Sequence, residues 1–268
     1  MMDILSLDFF QNALIASILV SISCGILGVY VVINRMVFLS GGIAHGAYGG
    51  VGIAFFLGFE PLLGGGVFAL LLAFLIGLIT LKNKQNTDAI IGAIWALGMA
   101  IGIIFTDITP GYNVDLMSYL FGAILSVSQI DITAMASVSG VVILVSLLLY
   151  RKLQAMSFDS EFALLRGIRV NILYFLLLAL VALCIVVSVR TVGLILVIAL
   201  LTIPPFIAQL FSKHLSSMII LSTLISCFFC LSGLFISYFL NVSSGASIIL
   251  LASCAFFLVL GYKRFVSQ

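Results

Sequence analysis

Long apolar runs separated by short polar breaks fill almost the whole chain. Nine such runs stand out: Phe9–Ile33, Gly42–Gly58, Leu62–Leu81, Asp88–Thr106, Asp131–Tyr150, Val170–Ser188, Val192–Phe211, Ser217–Leu240 and Ala246–Tyr262. A membrane-spanning helix takes about 20 mostly apolar residues, and these runs match that length. The second and the last are short enough to be re-entrant, which leaves eight or nine spans. Leu116–Val127 is apolar but too short to cross, and reads as a short re-entrant or surface helix. The pattern predicts an all-α protein: a polytopic transmembrane helical bundle forming a single domain over residues 1–268.

Composition narrows the class further. Hydrophobic residues make up 64% of the chain and charged residues 7%, against roughly 25% charged in a soluble domain, and mean hydropathy is +1.40. Such a chain cannot cover a water-facing surface, so membrane lipid is its solvent. The net charge of +2 is too small to argue for nucleic acid. The N-terminal stretch MMDILSLDFFQNAL carries no basic residue before its apolar run, unlike a secretory signal. All five cysteines lie inside apolar runs, which argues against a disulfide framework. The Cys227–Cys230 CxxC reads as two small residues on a lipid-buried helix.

Charge placement sets the expected orientation. With nine spans, Arg35, Lys82, Lys84, Arg151, Lys152, Arg166, Arg169, Lys213, Lys263 and Arg264 all fall on one side. Arg190 alone falls opposite. Basic residues mark the cytoplasmic face, so the N-terminus is expected outside and the C-terminus inside a bacterial plasma membrane. The outer loops then carry Glu60, Asp107, Asp115 and Asp131, a face suited to an arriving cation.

No nucleotide-binding loop, metalloprotease motif or hydrolase elbow occurs, so the chain reads as no enzyme. An intramembrane enzyme would need a catalytic pair that the sequence lacks. Of the two histidines, His214 sits beside Lys213 in a predicted cytoplasmic turn, whereas His45 lies within the second span, in FLSGGIAHGAYGGVGIA. An ionisable residue at that depth marks a functional site by default. Gly42, Gly46 and Gly50 recur every four residues and let another helix approach closely. Gly41 and Gly49 lie one turn to either side of His45. Two readings of this imidazole stay open: a ligand for zinc, manganese or iron, or a histidine hydrogen-bonded across a helix interface.

Two more segments stand out. In Arg151–Val170, Ser157 followed by Asp159 and Glu161 reads as a helix start. Phe158, Phe162, Leu165 and Ile168 would share an apolar face, with Gly167 as the stop. Such a short helix either lies on lipid or docks a soluble partner. In TVGLILVIALLTIPPFIAQL, the Pro204–Pro205 pair is expected to break or kink the seventh span.

Six segments in order, over nearly the full length, resemble the permease subunits of zinc and manganese ATP-binding-cassette importers: GVYVVINRMVFLSGGIAHGAYGGVGIA, DAIIGAIWALGMAIGI, SYLFGAILSVSQID, FDSEFALLRG, TVGLILVIALLTIPPFIAQL and SSGASIILLAS. The resemblance implies a permease that pairs with a second permease copy. It also implies a cytoplasmic ATPase subunit that consumes the ATP and an external binding protein that delivers a divalent metal ion, with no cofactor held by the permease itself. Asp159, Glu161, Phe162, Ala163 and Gly167 match the family's coupling helix, and His45 matches its second-span histidine. Many relatives carry an aspartate four residues earlier, where this chain has Gly41. Its absence weakens manganese relative to zinc as the cargo, or implies a ligand from another helix, with Asp107, Asp115, Asp131, Met99 and Met117 as candidates. The rival expectation is a secondary transporter driven by an ion gradient, although no repeated halves are visible.

Overall fold

The computed structural model describes residues 7–82, 87–110, 120–122 and 124–266. Among these there is no strand. The helices are α1 (Asp8–Ile33), α2 (Val37–Leu57), α3 (Pro61–Lys82), α4 (Thr87–Asp107), α5 (Gln129–Leu148), α6 (Tyr150–Phe158), α7 (Ser160–Leu165), α8 (Val170–Val192), α9 (Leu194–Phe211), α10 (Leu215–Leu240) and α11 (Ser244–Val266), with a 3-10 turn at Ile124–Ser126. Nine of them, all but α6 and α7, are long and apolar enough to cross a membrane. The two runs that looked short are full-length helices of 21 residues in α2 and 23 in α11. At about 1.5 Å per residue each exceeds roughly 30 Å, the hydrocarbon thickness. Of the expected short helix at Leu116–Val127, residues 116–119 and 123 lie outside the described residues. In the described remainder, Leu120 and Phe121 are helical and Ile124–Ser126 form the 3-10 turn.

The second helix begins earlier than its apolar run because α1 ends abruptly. Arg35 takes a left-handed conformation at φ +56°. The Met36 amide then donates back to the Val31 carbonyl at 2.8 Å, and the Met36 side chain is buried. This is the Schellman closure, here made without glycine. It returns the chain into α2 with no loop to spare.

Two packing units make up the bundle. In the first, α1 is surrounded by α5, α8, α9 and α10. In the second, α2 is held between α3 and α4, and α8 joins the units through α3. The apolar windows of α1 and α2 are 72% buried, against 22% for α4 and α11, so α4 and α11 keep broad faces outside the packed bundle. Of the break or kink expected at Pro204–Pro205, the break does not occur: α9 runs continuously from Leu194 to Phe211 with both prolines buried. A proline at position 205 frees the Leu201 carbonyl. Gly28 of α1 lies against that carbonyl and the Pro205 ring, where a Cβ would stand 2.7 Å and 2.5 Å away. The missing side chain lets α1 cover the freed backbone group, as a bilayer requires.

The loop contacts sort into two faces. On one, Arg190 Nη1 pairs with Glu60 at 3.2 Å, and Arg190 Nε lies 3.4 Å from Asp131. Asn12 donates to the Val127 carbonyl there as well. Gly122 and Gly193, both at positive φ, pack backbone to backbone. On the other face, Asn34 of α1 donates to Ser157 Oγ at 2.9 Å, and the Lys263 ammonium donates to the Leu210 carbonyl. Each contact joins loops that nine crossings put on the same side. Arg190, the one basic residue on the acidic side, is held there by two carboxylates.

Candidate functional site

Two places carry the residues singled out in the sequence. The first lies between α2 and α4. The glycine stripe of α2 brings these helices into backbone contact. A Cβ on Gly42 would sit 2.5 Å from the Ile91 side chain, one on Gly49 would sit 2.9 Å from the Gly98 carbonyl, and one on Gly98 would sit 2.5 Å from the Gly46 Cα. Gly50 serves the opposite neighbour, where the Gly64 carbonyl and Phe68 of α3 fill the space a Cβ would need. All four are helix-packing residues in the sense expected of a small-residue face.

Gly41 is different. A Cβ there would meet nothing within 4 Å, so position 41 has room for a side chain on the His45 face of α2. His45 itself is half-buried. Its ring stacks on the indole of Trp95 in α4, with centroids 3.9 Å apart and planes 17° from parallel. Its Nδ1 is buried and has no hydrogen-bond partner. An interhelical hydrogen bond through Nδ1 is therefore not what holds this histidine. The stack holds it.

The other residues considered as ligands do not gather at His45. Asp131 forms a capping box with Ser128 at the start of α5 and turns its second oxygen to Arg190. Asp107 is exposed at the end of α4, and Met99 is half-buried on the same helix. Asp115 and Met117 lie outside the described residues. Among the described residues no three His, Cys, Asp or Glu side chains come together. The arrangement is one imidazole with a buried, unpaired Nδ1, an aromatic wall and a vacant neighbouring position.

The second place is the α6–α7 platform between α5 and α8. The helix start at Ser157 is corrected. Ser157 belongs to the last turn of α6, and the cap of the next helix is Asp159, whose Oδ1 accepts from the Phe162 amide at 2.9 Å. The extended backbone of Asp159 divides two short helices where one was expected. Gly167 is the stop, at φ +76°. Its amide donates to the Leu164 carbonyl at 2.9 Å and that of Ile168 to the Ala163 carbonyl at 3.0 Å, the Schellman pair.

Burial divides the platform residues sharply. Ala163 is fully buried against the bundle. Glu161 and Asp159 are exposed, as are Phe158 at 65%, Phe162 at 48% and Leu165 at 88%. The Arg166 guanidinium lies over the Phe162 ring at 5.0 Å from its centroid. Ile168, expected on the outer face, instead packs against the core.

Trp95 is the functional candidate that sequence reasoning passed over. Its signal was available: it is the chain's sole tryptophan, placed inside an apolar span.

Nine apolar helices, two loop faces and a short capped platform outside the bundle define a polytopic helical membrane transport component. The model of the ABC 3 transport family matches residues 6–263. The chain belongs to that family, the membrane subunits of ATP-binding-cassette transporters. It is 46% identical over 98% of its length, and 94% of the relative's, to the uncharacterized membrane protein slr2045 of Synechocystis. It is 36% identical to the manganese import system permease protein ScaB of Streptococcus parasanguinis, covering 94% of this chain and 89% of that one. Its fold matches PsaBC from Streptococcus pneumoniae in complex with Fab, with TM-score 0.86 and 33% identity over 96% of this chain and 93% of that one. A putative metal-chelate type ABC transporter in an inward-facing conformation shares the fold, with TM-score 0.75 at 16% identity over 95% of this chain and 86% of that one.

Proposed function

We propose that this chain is the permease of an ATP-driven importer for a divalent transition-metal ion. It pairs with a second permease copy to line the path, receives the metal from an external binding protein, and couples to a cytoplasmic ATPase subunit through α6–α7. The observation that carries this reading is the platform itself: exposed Phe158, Phe162 and Leu165 stand on a segment anchored by buried Ala163. Named relatives supply the cargo class. ScaB carries manganese in its name, as does the manganese transport system membrane protein MntC of Halalkalibacterium halodurans, 33% identical over 95% of this chain. His45 is the contact for the permeating cation, and the α2 glycines set the distance to α4 behind it. The prolines of α9 act in packing against α1. The permease itself binds no ATP and holds no resident cofactor.

Uptake of radiolabelled manganese, zinc and iron into cells deleted for this chain tests the cargo. Restoring the chain should raise uptake of at least one of them by roughly tenfold or more, and no gain for any of the three contradicts the reading.

Orientation has its own test. With the acidic loops outside, single cysteines replacing Glu60 and Asp115 should react with an impermeant thiol reagent in intact cells. Cysteines at Lys82, Arg166 and Lys263 should react only after lysis. Labelling of position 166 from outside would invert the topology.

A further inference from the structure

We propose that Trp95 is the positioning residue of the His45 site. Its indole fixes the plane of the imidazole through the ring face, without tying up a ring nitrogen, and offers an electron-rich face to the charge the ring takes on when the cation binds. This inference rests on the proposed role of His45.

A metal-binding histidine is ordinarily oriented through its second nitrogen, which donates to a carboxylate or a backbone carbonyl. Here Nδ1 is buried without a hydrogen-bond partner, so that means of holding the ring is absent at this nitrogen. The contact that does restrain the ring is made through its face, by the near-parallel indole at 3.9 Å. Face contact leaves the whole edge of the imidazole unobstructed by its holder. A ring held this way can present a nitrogen to a passing ion without first breaking a hydrogen bond.

The stack is bracketed on both sides by close helix packing, against a side chain on one side and against backbone on the other. Trp95 stands four residues after Ile91 and three before Gly98 on α4. On α2, His45 stands three residues after Gly42 and four before Gly49. Gly42 meets Ile91, and Gly49 meets Gly98, so the two close approaches bracket the two rings along the helix pair. Neither helix can slide or separate there without dissolving the stack. Phe38, with its centroid 6.3 Å from that of Trp95, flanks the indole.

Electrostatics gives the indole a second task. A cation bound at the imidazole edge withdraws charge and leaves the ring partly positive. Among aromatic side chains tryptophan offers the strongest face to a positive group, followed by tyrosine and phenylalanine. Phenylalanine at position 95 therefore keeps the plane and part of the attraction, whereas leucine keeps apolar bulk and loses both.

The complete importer in proteoliposomes separates these roles. Trp95→Leu should raise the half-saturating manganese concentration by roughly tenfold while the maximal rate stays within about twofold. Trp95→Phe should stay within roughly threefold of the parent for both parameters. A merely structural tryptophan would instead lower the amount of folded protein and the maximal rate, with no such split and no rescue by phenylalanine. A second measurement needs no variant at position 95. In the full-length permease alone in lipid vesicles, all indole emission comes from Trp95. Titration with Mn2+, a paramagnetic quencher, should give saturable quenching that is lost in His45→Leu. Unsaturable quenching, or quenching unchanged in His45→Leu, overturns the proposal. So does an unchanged half-saturation in Trp95→Leu while His45→Leu abolishes uptake, and that result leaves the His45 reading standing. Normal uptake in His45→Leu overturns the reading of His45 itself.

Discussion

Phe162→Ala should leave the permease inserted, folded and expressed at its normal level, yet abolish co-purification with its ATPase and the metal uptake that ATP drives. The ring is 48% exposed and sits in the first turn of α7, whose amide 162 is already tied to Asp159. Removing the side chain therefore disturbs neither the cap nor the buried Ala163 that anchors the helix. What it removes is a half-exposed apolar ring, over which the Arg166 guanidinium lies. An aromatic anchor filling a partner's groove typically contributes roughly 2–4 kcal/mol, or about 30- to 700-fold in affinity. Pull-down of the ATPase with the tagged permease, alongside ATP-dependent uptake, reads the effect directly. Retained pull-down at parental levels would remove Phe162 from the interface.

His45→Leu should reduce metal uptake by two orders of magnitude or more while protein level and ATPase association stay near normal. Leucine preserves apolar bulk in the half-buried position and offers the cation no nitrogen. The expected loss is large because the described residues place no carboxylate or thiol cluster beside the imidazole to take over. Position 41, one turn away, carries no side chain, although the space there would accept one. Cell-based uptake of the cargo metal, normalised to permease in the membrane, measures it. Uptake within twofold of the parent would return His45 to a packing role beside Trp95.

Much of the fold was legible because a bilayer constrains sequence strongly. Each span must satisfy its own backbone, so helices follow from apolar length alone. The reading faltered where glycine replaced bulk. Val37–Leu57 has a hydropathy of only 1.2, against 2.0–3.1 for the other eight helices. Glycine contributes little hydropathy, yet it is what buries this helix between α3 and α4. That the Pro204–Pro205 pair leaves α9 unbroken was not legible, for a related reason. Whether a proline breaks a helix depends on who covers the freed carbonyl, and that neighbour, Gly28, is far away in sequence. The start of the platform helix was placed two residues early because Ser157 and Asp159 are both good caps. Tertiary contact decided between them, since Ser157 accepts from Asn34 of α1.

The site was half legible. His45 stood out as an ionisable residue in a span, and the glycines around it announced a close helix approach. Its partner did not, because which α4 side chain faces His45 depends on the register between the helices. Gly42–Ile91 and Gly49–Gly98 set that register, and no periodicity within one helix contains it. Arg190 teaches the same lesson on the outer face. As a lone basic residue it looked like an exception to the charge rule, and only the fold brings Glu60 and Asp131 to it.

The energy source separates an ATP-driven permease from a gradient-driven transporter. The permease, reconstituted in proteoliposomes with its ATPase and supplied with metal through the external binding protein, should accumulate metal when ATP is present on the ATPase side. It should do nothing under a proton or sodium gradient when the ATPase or ATP is left out. Full uptake driven by either gradient alone, with no ATPase in the vesicle, would contradict it.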